Sequence, residues 1–397
     1  MRAGWAGRDG VAIVGFAQSP IERHAARPLG AIALDTARAA IADAGLEVPQ
    51  VDGFTSSSML PSAGGRAVVD GVSTISSSWL AQHLGAEPTY VAGFQGMGQL
   101  PGSLALGVNA LLSGAASHVL VHRALHHPVG SYHANPMTEA RGGDQWTAPQ
   151  GFFGPLPAIG LLANEYAQRY GASREALSAV VVEARKNGAR IPWSHWHGRP
   201  LTSDDHLAAP LICDPVGRLD CDLPVDGVGA FVLTTAERAR DLPHQPVLVS
   251  AIAGPSPTPL RLPLHWPLDD VQAAGRDIAA RLWNDAGFGI DEVDLPQVYD
   301  GFSPFVWLWL EAFGICGVGE AHRFVVDGGI DSDVPGAVPA LSGGGALGNG
   351  RMHGVPQLLE CYLQLSDRAG ERRREGVARA LACHGSPNLG GVIALSR

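Results

Sequence analysis

The sequence predicts an α/β fold made of two similar halves, because short segments recur in the same order along the chain. The recurring pairs are 42–45 with 284–287, 52–55 with 300–303, and 226–234 with 388–396. The first pair reads ADAG and NDAG, the second DGFT and DGFS, and the third is a Gly-rich turn that leads into an apolar run. Three recurring segments in the same order indicate an internal duplication. The strand–helix–strand pattern of each copy predicts two similar units with right-handed crossovers.

Each half opens with the same three predicted elements. Short apolar runs indicate strands, and apolar residues at helical spacing that end at a glycine indicate helices. A strand, a helix and a second strand with its turn are predicted at 11–16, 31–44 and 51–55, and again at 247–253, 271–286 and 298–303. The first half continues with a strand at 90–94, a helix at 100–113 and a strand at 119–121. The small residues of that helix favour close packing at the centre of a duplicated fold.

The boundary between the halves is placed in the charged, proline-containing segment 237–246. The predicted halves are therefore residues 1–240 and 246–397. Within the first half, residues 122–225 are expected to form a loop region over the site. Its Gly- and Pro-rich part at 142–157 is typical of a mobile lid.

Composition excludes several functional classes. The chain has 397 residues, 46% of them hydrophobic and 17% charged, with a net charge of −10, which argues against a nucleic-acid binder. It contains no apolar run of membrane-spanning length, and its first residues lack a signal-peptide pattern, so we expect a cytoplasmic protein. Five cysteines without a CxxC pair argue for free thiols and against a zinc ribbon. No metal site is expected, because neither of the two histidine clusters, at 126–133 and 195–197, has a carboxylate or a further histidine beside it at recognisable spacing.

The most informative stretch is 297–322, QVYDGFSPFVWLWLEAFGICGVGEAH. It begins as a predicted strand with Tyr299 and Asp300 at its tip, followed by a turn and a helix at 305–313. Polar side chains at the C-terminal end of a strand, next to a helix N-terminus, are how α/β folds build sites. The helix is apolar on nearly every side and is therefore expected to be buried.

These features together resemble the thiolase superfamily over essentially the whole chain. The resemblance rests on the duplicated halves, the turn and helix at 95–114, the Gly-rich stretch at 343–354, and CHG at 383–385 followed by GGV at 390–392. YDGFS at 299–303 and GGALGNGRMHG at 344–354 look like the thiolase-like lipid-transfer proteins, the branch related to the thiolase domain of sterol carrier protein X. The resemblance implies a five-layered αβαβα sandwich and a homodimer. It also implies an acyl-CoA-type substrate without a further cofactor, and a small OB-fold, zinc-ribbon partner protein.

The departures from the thiolase pattern indicate different chemistry. The resemblance places Met97 where thiolases carry the nucleophilic cysteine, and a thioether cannot form an acyl-enzyme because that step needs a thiolate. At the position of the thiolase Gly-His-Pro histidine, one register places Arg351 and a shifted register places Asn349. Arg351 stays protonated and, if buried, needs an anionic partner such as a substrate carboxylate, a phosphate or Asp300.

The first functional hypothesis, which the resemblance to aldolase-like members implies, is an aldol or retro-aldol enzyme without a covalent cysteine intermediate. Tyr299 is assigned as base on the substrate hydroxyl. His353 or His384 would polarise the carbonyl, and Cys383 would protonate the enolate carbon. The remaining predicted roles are the orientation of His353 or a turn cap for Asp300, and backbone amides for an oxyanion at Gly344 and Gly345 or at Gly385.

Two alternatives remain open at the sequence level. One is an acyltransferase or Claisen-type condensing enzyme that uses Cys383 as its nucleophile. The other is a non-catalytic carrier or scaffold for acyl-CoA or lipid, which the replacement at Met97 suggests. Acylation of Cys383 by acyl-CoA would favour the first alternative, and tight lipid binding without turnover would favour the second.

Overall fold

The computed structural model describes residues 4–57, 69–95, 99–127, 140–152, 154–254 and 266–397. Its strands are β1 Val11–Gln18, β2 Gly53–Ser56, β3 Tyr90–Gly93, β4 His118–Leu125, β5 Leu211–Cys213, β6 Val216–Gly217, β7 Gly227–Thr235, β8 Val247–Ala253, β9 Leu295–Gln297, β10 Arg379–His384 and β11 Gly391–Ser396. Its α-helices are α1 Leu29–Asp43, α2 Ser77–Leu84, α3 Gln99–Leu112, α4 Asp144–Thr147, α5 Pro155–Tyr170, α6 Arg174–Gly188, α7 Ser203–Leu207, α8 Ala236–Ala239, α9 Leu268–Ala286, α10 Ser303–Phe313, α11 Ala321–Val326, α12 Gly345–Asn349 and α13 Val355–Leu365.

Nine of these strands form one mixed sheet in the order β3-β2-β4-β7-β1-β8-β11-β10-β9. Outward from its middle, the first-half strands β1, β7, β4 and β2 mirror the second-half strands β8, β11, β10 and β9. The pairings match as well: β2 and β4 are parallel like β9 and β10, and β1 with β7 and β7 with β4 are antiparallel like β8 with β11 and β11 with β10. A two-residue antiparallel pairing of β1 with β8 joins the halves. The duplication predicted from the recurring segments is therefore present in the topology.

Three buried clusters separate the layers. The central cluster holds α3 and α13 together with inward-facing residues of both strand sets, such as Val121 and Ala382. Helices α1 and α2 cover the outer face of the first set, and α9 and α10, together with α5 and α6, cover the outer face of the second. The layers are therefore helices, the first-half strands, the central helices, the second-half strands and helices again. This order confirms the predicted five-layered αβαβα sandwich.

Equivalent aspartates begin equivalent strands in the two halves. The Asp52 carboxylate accepts hydrogen bonds from the backbone N–H groups of Ser117, at 2.8 Å, and His118, at 2.9 Å, where β4 begins. The Asp294 carboxylate accepts them from Ala378, at 2.8 Å, and Arg379, at 3.0 Å, where β10 begins. The dipeptide Val-Asp, which occurs at 51–52 and again at 293–294, thus marks a repeated backbone contact.

Helix α10 is buried on nearly every side, as its composition predicts. Its one carboxylate, Glu311, is satisfied rather than exposed: it accepts hydrogen bonds from the Tyr166 hydroxyl, from the Gly319 N–H at 2.9 Å and from the Gln272 amide at 3.2 Å. A buried carboxylate is tolerated when donors surround it in this way. Glu311 therefore ties α10 to α5, to α9 and to the turn before α11.

Two element predictions differ from the structure. The strand predicted to end at Tyr299 and Asp300 is wrong in its bounds, because β9 ends at Gln297 and the Val298 N–H donates instead to the Ala340 carbonyl at 3.1 Å. The chain therefore leaves the sheet before Tyr299. The predicted lid at 142–157 contains the short helix α4 and the start of α5. The division into 1–240 and 246–397, with a loop region at 122–225, stays a prediction.

Within the described ranges, none of the helices combines the length and apolar character that a membrane crossing requires.

Candidate active site

Asp300 is held by the turn that precedes the second central helix. Its carboxylate accepts hydrogen bonds from the N–H groups of Ala346, at 2.6 Å, and Leu347, at 3.0 Å, and from the Gln357 amide at 2.9 Å. Burial raises the pKa of Asp300 to about 7, although these donors oppose the shift. A side chain at Gly345 would overlap this carboxylate, since a Cβ there would lie 2.2 Å from an Asp300 oxygen. Asp300 therefore anchors the Gly-rich turn at 343–354.

Arg123 reaches the same region from β4 of the first half. Its guanidinium donates to the Gln99 side-chain oxygen at 3.1 Å and lies 2.6 Å from Nδ1 of His353, with a further bond to the Ser57 carbonyl. The side chain is fully buried, and burial together with the charge of Arg351 lowers its pKa to about 9, so it remains a cation at neutral pH. The contact with His353 joins the two halves across the site.

His353 is a neutral imidazole in this setting. Burial lowers its pKa well below the ordinary value, and the charges of Arg123 and Arg351 lower it further. Because a guanidinium can only donate, the bond from Arg123 makes Nδ1 the acceptor and leaves the ring proton on Nε2. His353 has a positive φ of 50°, a conformation that residues other than glycine seldom adopt and that recurs at functional sites.

His384 and Tyr299 complete the group of rings. The His384 ring lies 4.7 Å from that of Tyr299 and 5.6 Å from that of His353, measured between centroids. Burial lowers the pKa of His384 to about 3, with a smaller contribution from Arg123. Neither of its ring nitrogens has a hydrogen-bond partner among the described residues. Buried nitrogens in this state are suited to receive a ligand.

A second buried carboxylate, Asp222, faces Tyr299 from the segment before β7. Its carboxyl group interacts with the Tyr299 side chain through a hydrogen bond that lowers its pKa, and its backbone N–H donates to the Gly301 carbonyl at 3.0 Å. Burial raises the pKa of Asp222 to about 8, while the nearby charge of Arg351 opposes the shift. The structure therefore surrounds Tyr299 with a carboxyl group, imidazoles and guanidinium groups.

Asn349 and Arg351, the two candidates for the thiolase histidine position, have different surroundings. The Asn349 amide donates to the Gly343 and Gly345 carbonyls at 2.7 and 2.8 Å, and so it braces the turn. Arg351 is buried, and its charge acts on Arg123, His353 and Asp222. Arg351 thus belongs to the polar group of the site, and Asn349 supports the backbone below it.

Cys383 is packed in the apolar cluster beneath α10. Burial raises the pKa of its thiol well above the ordinary value, so it is protonated at neutral pH. The Gly385 carbonyl accepts a bond from the Trp309 indole at 2.8 Å, and the Gly344 N–H donates to the Leu341 carbonyl at 2.8 Å. The Gly344 amide is therefore occupied in this conformation. Met97 lies outside the described residues, and no three or more His, Cys, Asp or Glu side chains of the described part are grouped to hold a metal ion.

Three residues of this group, Arg123, Asp222 and Gln99, were not predicted from the sequence. Arg123 did leave a signal, because it is the one charged residue other than histidine in the apolar strand HVLVHRAL. A buried strand that carries an arginine requires partners in the core. Asp222 had no such signal, since it stands in an irregular acidic segment, and Gln99 begins a helix.

Comparison with known proteins identifies relatives of the chain. Residues 268–394 match a family model described as Thiolase C-terminal domain-like. A 17-hydroxy-3-oxo-4-pregnene-20-carboxyl-CoA lyase of Mycobacterium tuberculosis is 31% identical over 366 residues, 89% of this chain and 91% of the relative. A steroid side-chain-cleaving aldolase of Thermomonospora curvata is 29% identical over 361 residues, 88% of each chain.

Solved structures extend the comparison. An Ltp2-ChsH2(DUF35) aldolase superposes with a TM-score of 0.82 at 26% identity over 98% of both chains. Human mitochondrial 3-ketoacyl-CoA thiolase in complex with CoA superposes with a TM-score of 0.64 at 16% identity over the whole of both chains, which is a likeness of fold alone. The chain belongs to the thiolase superfamily. Within it, the chain falls in the thiolase-like lipid-transfer branch that contains steroid side-chain-cleaving aldolases.

Proposed function

We propose that the protein is a carbon–carbon lyase that cleaves a β-hydroxyacyl-CoA thioester by a retro-aldol reaction. The observation that carries the proposal is the setting of Tyr299, whose hydroxyl contacts Asp222 and whose ring packs against His384, while Arg123 lies close by. This group offers proton transfer and charge stabilisation but no exposed thiolate. Those are the requirements of aldol cleavage, whereas acyl transfer needs a nucleophile.

The reaction begins at the hydroxyl on the β-carbon. Tyr299 takes the hydroxyl proton, the oxygen forms a carbonyl, and the bond between the α- and β-carbons breaks. Its electron pair enters the thioester as an enolate, which a proton donor of the site then protonates on the α-carbon. The products are a ketone or aldehyde and a shortened acyl-CoA, so atoms and charge balance without an added reactant.

The enolate oxygen is the charge that the site must stabilise. His353 carries its proton on Nε2, because Arg123 donates to Nδ1, so it can give that proton in a hydrogen bond while remaining uncharged. The unpartnered nitrogens of His384 offer a second donor. Positioned donors in a site shielded from water stabilise such an oxyanion strongly, and they need no reorganisation during the reaction.

The acyltransferase alternative has less support. A nucleophilic cysteine needs a lowered pKa, whereas the Cys383 thiol lies in an apolar cluster that raises it. Its role as proton donor to the α-carbon stays a prediction from the sequence, whereas its place in the apolar cluster favours a packing role.

The substrate class follows from the relatives. The name of the Mycobacterium tuberculosis lyase describes a steroid CoA thioester whose 17-hydroxyl stands two carbons from the thioester carbon, which is the β-hydroxyacyl pattern. We propose a thioester of this class, with the β-carbon in a bulky apolar group, and no cofactor beyond the CoA of the substrate. We also propose a cytoplasmic location, which rests on the sequence pattern alone.

We further propose two kinds of protein partner. A homodimer is expected from the family, and β3 is the end strand of the sheet, a position that suits pairing with a second copy. The solved Ltp2-ChsH2(DUF35) aldolase carries the names of two proteins, which supports a small second chain of the OB-fold, zinc-ribbon kind. Size measurement of the purified chain, alone and co-expressed with such a protein, tests both proposals.

The substitution Tyr299→Phe tests the function. With 17-hydroxy-3-oxo-4-pregnene-20-carboxyl-CoA as the probe, we expect the wild type to release a steroid ketone and propionyl-CoA. Loss of general base catalysis should lower kcat by about 100- to 10,000-fold. The matched control is Tyr170→Phe, which removes a hydroxyl bonded to Gln272 rather than one in the site. Wild-type turnover by Tyr299→Phe would overturn the assignment.

A further inference from the structure

Two backbone contacts tie Asp222 to the Tyr299 turn. The Asp222 N–H donates to the Gly301 carbonyl at 3.0 Å, and Cys221 forms an antiparallel bridge with Phe302. The Asp222 side chain is 2% exposed, and its carboxyl group interacts with the Tyr299 side chain through a hydrogen bond that lowers its pKa. The two residues are far apart in the sequence, but the bridge sets their relative position through the backbone.

The two buried carboxylates beside Tyr299 differ in how well they are satisfied. Asp300 accepts three hydrogen bonds, from two backbone N–H groups and one amide. Asp222 has one oxygen, Oδ1, that lacks a hydrogen-bond partner among the described residues although it is buried. Burial of a carboxylate oxygen without a hydrogen-bond donor lowers the stability of the fold, so the presence of such an oxygen points to a functional role. The difference separates an anchoring role for Asp300 from a chemical role for Asp222.

We propose that Asp222 is a positioning residue that orients the Tyr299 hydroxyl and accepts its proton while Tyr299 takes the proton of the substrate hydroxyl. This inference rests on the proposed function, because it gives Tyr299 the role of base. A neutral phenol is a weak base by itself, and a carboxylate hydrogen-bonded to it provides the place to which its own proton moves.

The proton transfer balances in two coupled moves. The substrate O–H bond breaks and a new O–H bond forms on the Tyr299 oxygen, while the original Tyr299 proton moves to the Asp222 carboxylate. The negative charge that leaves Asp222 appears on the enolate. When the α-carbon is protonated, the proton on Asp222 returns through Tyr299 or to solvent, and the carboxylate is restored.

The proposal requires Asp222 to be ionised in the active enzyme. The charged and titratable groups that face it are Tyr299 and Asp300 from the turn after β9, and Arg351 from the segment after α12. Burial and Asp300 raise the pKa of Asp222, Arg351 and the Tyr299 bond lower it, and the result is about 8. Below that pH the Asp222 carboxyl group is already protonated and cannot accept the Tyr299 proton. Activity should therefore rise with pH through a limb near pH 8.

The experiment compares Asp222→Asn, Asp222→Glu and Tyr299→Phe with the wild type, using the steroid thioester probe. Asp222→Asn should lower kcat by about 100-fold, change KM little and remove the limb near pH 8. Asp222→Glu should have a kcat between those of Asp222→Asn and the wild type. Its pH–rate profile should still show a rising limb, at a pH different from that of the wild type. Glu311→Gln is the matched control, since Glu311 is also a buried carboxyl with a raised pKa but contacts Tyr166; its limb should match the wild type.

The outcomes separate the two claims. An Asp222→Asn variant that is folded and keeps the wild-type rate and pH limb would overturn the role of Asp222, even if Tyr299→Phe is inactive. An active Tyr299→Phe variant would overturn the proposed function itself. If Asp222→Asn does not fold, Asp222→Glu decides the matter, because an unchanged rate and an undisplaced limb in that variant contradict the proposal.

Discussion

The two halves of the molecule share a scaffold but contribute different chemistry. Strands β2 and β9 occupy equivalent places, yet the first leads into Ser57 and the second into Tyr299 and Asp300. Strands β4 and β10 are equivalent as well, and they carry Arg123 and His384. The first half thus supplies the Arg123 cation and the Asp222 carboxyl group, and the second half supplies the phenol, the imidazoles, Asp300 and Arg351. Duplication thus provides two similar sets of strands, and the different residues at the ends of equivalent strands form the site.

Of the substitutions that test this division between the halves, removal of the first-half cation Arg123 should have the largest effect. Arg123→Met should lower kcat by about 100- to 1,000-fold, because His353 loses the donor that fixes its tautomer and the site loses a positive charge near the enolate. Steady-state kinetics with the steroid thioester measures the loss. Arg123→Lys keeps the charge and should recover part of it. A fully active Arg123→Met enzyme would show that the site does not need this first-half cation.

Asp300 should be the largest single anchor on the second-half side. Asp300→Ala leaves two buried N–H groups and one amide without their acceptor, so we expect the free energy of unfolding to fall by about 3 kcal/mol or more. Denaturant titration followed by tryptophan fluorescence measures this change. A variant as stable as the wild type would indicate that the turn at 343–354 does not depend on this carboxylate.

Cys383 should matter little by comparison. Cys383→Ala removes a buried thiol from an apolar cluster, and we expect a decrease in kcat of less than about 10-fold together with a small loss of stability. Rates and intact-protein mass, measured in parallel, provide the check. A decrease of several hundred-fold would instead give Cys383 a chemical role as proton donor or nucleophile.

The aspartates that begin β4 and β10 should have the smallest effect and should sharpen the comparison. Asp52→Ala removes acceptors from two N–H groups at a half-buried position, so the free energy of unfolding should fall by about 1 kcal/mol. Asp294→Ala should lower it less, because that side chain is exposed. Neither change should alter kcat. An effect of either on turnover would mean that these equivalent contacts position the site.

The fold could be predicted further than the site. Local patterns identified the recurring segments and the buried helix α10, because periodicity and glycine positions report on neighbouring residues. Together with the family resemblance, they also pointed to Tyr299, His353 and His384, and the structure groups the rings of these three residues. Arg123 contacts His353 across 230 positions of sequence, and no local pattern reports on such a pair.

Asp222 could not be predicted from the sequence either, since its position beside Tyr299 is set by a bridge between Cys221 and Phe302 that only the folded chain forms. The early end of β9 has a similar cause, because the Val298 N–H donates to a distant carbonyl at Ala340 instead of a neighbouring strand. The different settings of Arg351 and Asn349 also could not be read from the sequence. Both residues lie in one Gly-rich turn, and only their surroundings in the folded chain distinguish them.

The most direct test of the central claim is to run the reaction in deuterated water with the steroid thioester and to measure the acyl-CoA product and the intact protein by mass spectrometry. Retro-aldol cleavage through an enolate predicts a steroid ketone, propionyl-CoA with one solvent deuterium on its α-carbon, and a protein of unchanged mass during turnover. An acylated protein, or a shortened acyl-CoA without solvent deuterium, would contradict retro-aldol cleavage at this site.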